Sequence, residues 1–141
     1  MRTRFQFIEK SNSLGEVSYV PYLPFSLSSQ DNVISASGLL DTGASVNVLP
    51  YEIGLQLGLN WDRYNTSVIL AGNLAKFSAK GVILSATVDR FAPVTLVFAW
   101  TQAQDIPLIL GRVNFFESLI FVSMVPSCFL KLLPSHQPIF K

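Results

Sequence analysis

Residues 39–45 read Leu39-Leu40-Asp41-Thr42-Gly43-Ala44-Ser45, an apolar run that ends on a carboxylate and turns at once through small residues. Upstream, Val33 to Leu40 has the length and composition of a strand, and Ser28-Ser29-Gln30-Asp31-Asn32 before it is a turn cluster. Together they predict a hairpin whose second arm delivers Asp41. Far downstream a second apolar run meets a glycine, Ile106-Pro107-Leu108-Ile109-Leu110-Gly111-Arg112. An acid held at a strand end between apolar segments is how water-activating carboxylate pairs are presented. Here there is one such acid, so the sequence describes half of an active site.

Periodicity around this core is mostly two. Val82, Leu84, Ala86 and Val88 alternate with Ile83, Ser85, Thr87 and Asp89, the pattern of a half-buried strand. Val94 to Trp100 reads as another strand after the turn Arg90 to Pro93, and Leu108 to Leu110 re-enters the core. Tyr19 to Leu27 carries Pro21 and Pro24, which predicts an edge strand or a strand entry. Thr66 to Ala71 and Leu74 to Lys80 read as two arms of a hairpin around Gly72-Asn73. One segment is helical: Pro50 suits its first turn, Ile53, Leu55 and Leu57 are apolar, and Gly58 stops it. The Gly54-x-x-x-Gly58 spacing is read as a helix end. Asn114 is placed to cap a second short helix over Phe115, Phe116 and Glu117. The chain ends alternate too, around Phe5 and Phe7 and from Phe129 to Leu132, before Pro134 and Pro138. The expected class is a mainly β single lobe, closed and barrel-like, with one or two short helices.

With 141 residues there is room for one domain with a proper core. Half the residues are hydrophobic and 13% are charged, which excludes a disordered tail and favours burial of surface against a partner, as in an obligate homodimer. A net charge of +1 with scattered Lys and Arg gives no nucleic-acid footprint. The longest lipid-like stretch, Leu119 to Leu130, contains Pro126 and is too short for a bilayer, which takes roughly 20 apolar residues. Glu9, Lys10 and Ser11 interrupt the start before an apolar signal segment forms, so a cytoplasmic protein is expected. The single cysteine, Cys128, sits beside Phe129 and Leu130 as a small hydrophobe.

The lone histidine, His136, lies in the proline-rich tail, so a Ser-His-Asp or Cys-His machine lacks its base. No residues have metal-ligand spacing, and no glycine-rich loop leads into a helix, so neither metal nor cofactor is expected. Any catalysis runs on carboxylates. Glu9, Glu16, Asp31, Asp62 and Asp89 stand in polar or turn contexts, Glu52 in a first helical turn, Asp105 before a strand and Glu117 at a helix start. Asp41 alone follows apolar residues and precedes small ones. Its plainer reading is a turn aspartate bonding its own backbone. A chance Asp-Thr-Gly arises in roughly a few per cent of chains of this length. The apolar pair before it and the later Leu-Gly-Arg make chance a poor account.

These two motifs, Leu39 to Ser45 and Ile109-Leu110-Gly111-Arg112, resemble the paired signature of retropepsin-like aspartic proteases. The resemblance covers residues 19–133, leaving 1–18 as an N-terminal arm and 134–141 as a tail. It implies a bacterial homologue acting as a homodimeric endopeptidase in which two copies of Asp41 meet on a two-fold axis. Two carboxyls roughly 3 Å apart share one proton, so the ionised member activates water while the other protonates the forming oxyanion. By the same resemblance Thr42 bonds across the axis, and Gly43 and Ala44 support the loop. The resemblance makes the segment Leu70, Ala71, Gly72 and Asn73 the tip of a flap over an extended peptide, where the plainer reading is a surface turn. It gives Gly111 and Arg112 to structure and dimer, where a surface salt bridge is an equal reading for Arg112. The partners implied are a second copy and a peptide or protein substrate.

Two departures stand out. Viral members commonly carry an acid four residues beyond the catalytic Asp, as partner to the arginine; here that position is Ser45. Their dimers are tied by interleaved chain ends, for which this chain offers Arg2–Ile8 and Phe129–Leu133. The alternative reading is a non-catalytic module of the same fold that dimerises or grips peptides.

Overall fold

Strict alternation in the sequence becomes alternation in space. In the computed structural model, which describes residues 3–6, 8–11, 13–20, 22–41, 43–111, 119–125 and 129–134, strand β7 (Ala79–Thr87) turns Val82, Leu84 and Ala86 inward while Ile83 stays 67% exposed. The strands before it are β1 (Thr3–Gln6), β2 (Ile8–Ser11), β3 (Val17–Val20), β4 (Tyr22–Ser29), β5 (Asn32–Leu40) and β6 (Asn47–Leu49), with helix α1 (Tyr51–Gln56) after them. Strands β8 (Val94–Thr101), β9 (Leu108–Leu110), β10 (Leu119–Val125) and β11 (Phe129–Pro134) follow.

Six of these close a barrel in the order β4-β5-β9-β6-β8-β7. The β4–β5 hairpin forms as its turn cluster predicts, with Ser29 opposite Asn32 and Gln30 at a left-handed φ of 51°. Two pairings are parallel and join distant segments: β5 with β9 (Leu39 opposite Ile109) and β6 with β8 (Val48 opposite Ala99). Inside lie Leu23, Leu27, Leu49, Leu84, Leu96, Phe98, Trp100 and Leu110, all fully buried. At about 25 cal/mol per Å² of apolar surface removed from water, this core is the main stabilising term.

Helix α1 packs on Trp100. Gly54 faces the indole, which stacks on Tyr51 at 5.6 Å and donates its Nε1–H to the Tyr51 carbonyl at 3.1 Å. The predicted stop at Gly58 (φ 79°) closes the helix: its N–H donates to Leu55 C=O at 2.9 Å and the Leu59 N–H to Gly54 C=O at 3.0 Å. Asn32 Nδ2 donates to Leu57 C=O at 3.1 Å, tying that end to the β4–β5 turn.

Three expectations need refinement. Strand β4 is an edge only at its entry, because it pairs with β5 along its length and with β7 over Ser26–Ser28 alone. Pro24 is tolerated since it lies outside the stretch paired with β7. The hairpin expected over residues 66–80 is only partly one: its base holds through Val68 N–H to Ala79 C=O and Gly81 N–H to Thr66 C=O, around the bridge Ser67–Lys80. Beyond that base no ladder continues, and Gly72–Leu74 is a single 3₁₀ turn. Leu70, 5% exposed, packs inward and draws the segment into a loop. Finally, Gly54 is a packing position as well as part of a helix end.

The chain ends pair within one molecule, β1 with β11 (Thr3 opposite Leu132) and β11 with β10, while β2 and β3 form a separate hairpin. The helix expected after Asn114 and the residues Thr42, Arg112, Cys128 and His136 lie outside the described residues. Among the described residues no helix is long and apolar enough to cross a membrane.

Candidate active site

Asp41 stands one residue past β5, and its backbone is still held as though the strand continued. Its N–H donates to Leu110 C=O at 3.1 Å, carrying the β5–β9 pairing one step further. The chain then folds back on itself. Ala44 N–H donates to Asp41 C=O at 3.1 Å, and Gly43 N–H donates to Asp41 Oδ1 at 2.9 Å. The side chain is thus held by its own turn, since an aspartate readily accepts from the backbone N–H two residues on. A Cβ at Gly43 would stand 3.2 Å from that carboxylate oxygen, tight enough to disturb it.

Gly111 follows the strand that holds Asp41, and it is buried. A Cβ there would fall on the backbone of Val46, 2.6 Å from its carbonyl carbon and 2.9 Å from its nitrogen. Backbone cannot give way as a side chain can, so the close approach requires glycine. The Gly111 N–H donates to Asn47 Oδ1 at 2.8 Å, and Asn47 Nδ2 donates to Val97 C=O at 3.0 Å. Asn47 is completely buried. The sequence reading passed over it; the signal was an amide inside the apolar run Val46-Asn47-Val48-Leu49.

Beside Asp41 opens a cleft of about 440 Å³. Gly43, Ala44, Ser45, Val46, Val48 and Ile109 line it from the barrel, and Leu70, Ala71, Gly72 and Leu74 from the loop. Of the four residues expected in a flap tip, three therefore share the cleft with Asp41, while Asn73 is exposed and does not line it. Asp41 is the one ionisable side chain in this lining. The loop is held by a small apolar cluster of its own, Leu70 with Val48, Ala79 and Ala99, against which Val68, Leu74, Ile106 and Ile109 pack. Burying a leucine stabilises by about 1.5–3 kcal/mol, so Leu70 is the main apolar anchor of the loop. Among the described residues no three His, Cys, Asp or Glu side chains gather as a metal site.

No protein-family model matches the chain, and no curated protein matches it. Solved structures do. A retropepsin-like aspartic protease from Rickettsia conorii superposes with a TM-score of 0.63 at 16% identity, over 94% of this chain and 91% of that one. The six-stranded barrel with its short helix is thus the single-lobe retropepsin-like fold. At this identity the likeness is one of architecture. The likeness assigns no activity to any residue.

Proposed function

We propose that the chain is one subunit of a dimeric aspartic endopeptidase that hydrolyses extended peptides. The observation that carries this reading is the place of the Asp41 carboxylate, the one ionisable side chain at the wall of an apolar cleft. A solitary carboxylate beside apolar walls is half of a water-activating pair, and a two-fold axis supplies the other half. One carboxyl keeps the shared proton; its ionised mate draws a proton from a bound water as that water attacks the scissile carbonyl. The protonated carboxyl gives its proton to the developing oxyanion, and the amine leaves after a second transfer. Thr42 bonds its counterpart across the axis. Gly43 and Ala44 keep the loop close to the substrate backbone, and Leu70, Ala71, Gly72 and Asn73 form the flap that shields the reacting water. Gly111 and Arg112 brace the loop and the dimer. The apolar lining favours peptides with apolar side chains next to the scissile bond.

The decisive experiment incubates the purified chain and its Asp41→Asn variant with an unbiased peptide library. Cleavage by the parent and none by the folded, dimeric variant is the expected result. A statine-like mimic of the tetrahedral intermediate should also bind the parent far more tightly than the matched peptide. Equal cleavage by Asp41→Asn would refute the reading, and so would a chain that stays monomeric at high concentration.

A further inference from the structure

We infer that Asn47 is the positioning residue of the Asp41 loop and acts through a single peptide unit. The unit joining Leu110 to Gly111 is planar, so its oxygen and its N–H point in opposite directions and turn together. The oxygen accepts from the Asp41 N–H at 3.1 Å. The N–H donates to Asn47 Oδ1 at 2.8 Å. Any rotation of this plane that frees one bond frees the other. What sets the rotation is therefore the asparagine, and its amide is itself oriented: Nδ2 donates to Val97 C=O at 3.0 Å. Only one way round of the amide satisfies a donor on one side and a carbonyl on the other. The side chain is a spacer from Val97 in β8 to Gly111 just past β9, and the Asp41 backbone is bonded to the other side of the same peptide unit.

Asn47 is 0% exposed, and an aliphatic side chain in its place would leave the buried Gly111 N–H without its acceptor, so the amide stabilises as well as orients. Its gain is also directional, since a network with every partner satisfied holds one geometry. Asn47 lies outside the cleft lining, so it touches no bound peptide and acts only through the position of Asp41. The close approach is possible because Gly111 lacks a Cβ that would strike Val46.

The test compares the parent with Asn47→Leu, which removes the side-chain bonds to Gly111 and Val97, and Asn47→Asp, which keeps an acceptor for Gly111. Amide hydrogen exchange followed by NMR reads the geometry directly. In Asn47→Leu the Gly111 and Asp41 amides should lose protection while the β7–β8 ladder keeps its own; Asn47→Asp should retain more of it. The kinetic arm rests on the peptidase reading above. There kcat should fall by about ten-fold to a hundred-fold with KM almost unchanged, as displacement of a catalytic group predicts, and Asn47→Asp should recover part of the loss. Uniform loss of protection across the barrel would overturn the inference. So would full protection of Gly111 and Asp41 in Asn47→Leu, or a rise in KM at constant kcat. Should Asn47→Leu fail to fold, the same comparison is made on Asn47→Asp. A parent that cleaves nothing refutes the peptidase reading alone, because the exchange experiment still decides the role of Asn47.

Discussion

Replacing Gly54 by alanine sets local preference against packing, and the structure says which wins. Alanine is favoured over glycine in a helix interior by about 1 kcal/mol, so the sequence alone predicts stabilisation. In the fold, the new Cβ would fall on Cε2 and Nε1 of Trp100, with Cζ2 at 2.7 Å. The indole can retreat only by giving up contacts: it is completely buried, stacked on Tyr51 and bonded to the Tyr51 carbonyl. Overpacking of this kind costs about 1–3 kcal/mol. Loss of the indole hydrogen bond costs about 1 kcal/mol more, roughly cancelling the gain in propensity. The net destabilisation is about 1–3 kcal/mol, and at roughly 4 °C per kcal/mol for a chain of this size Tm should fall by about 4–12 °C. Thermal melts followed by far-UV circular dichroism measure this, and near-UV signals report the Trp100–Tyr51 stack. Gln56→Ala, at an exposed position of the same helix, should stay within about 0.5 kcal/mol of the parent. A Tm for Gly54→Ala equal to or above the parent's would refute the packing argument.

Removing the Asn32 side chain (Asn32→Ala) strips one hydrogen bond from the end of α1 and should cost about 1 kcal/mol in a denaturant melt. Leu70→Ala should loosen the loop rather than the barrel. Amides within 69–77 would exchange faster and KM would rise, with the β7–β8 amides unaffected; an unchanged loop would contradict the anchoring role.

Much of this architecture was legible because its signals are local. Period-two alternation from Val82 to Val88 marks a half-buried strand wherever it occurs, and the turn cluster before Val33 fixes a hairpin with little help from the rest of the chain. The placement of Asp41 at a strand end followed from the same logic. What failed was set by distant partners. The segment 66–80 has the composition of two arms and a glycine turn, yet Leu70 packs on Val48, Ala79 and Ala99 and the pairing stops near the Ser67–Lys80 bridge. Pro24 signals an edge, and only closure of the barrel shows that the strand has a second neighbour at Ser26–Ser28. Asn47 and Gly54 look unremarkable in one dimension. Each matters because of a residue about fifty positions away, Val97 and Trp100 in turn. The parallel pairings leave no periodic trace at all.

Those parallel pairings also fix when the site can exist. Asp41 is held by a strand that the ribosome makes much later, after the whole of β7 and β8. Contacts so distant in sequence form late and slowly, because a long loop must close before they reward it. A nascent chain that has emerged only as far as β8 carries the Asp-Thr-Gly turn with nothing behind it. On the peptidase reading, such a fragment cannot digest its neighbours during synthesis, and hydrolytic power arrives only with the finished barrel.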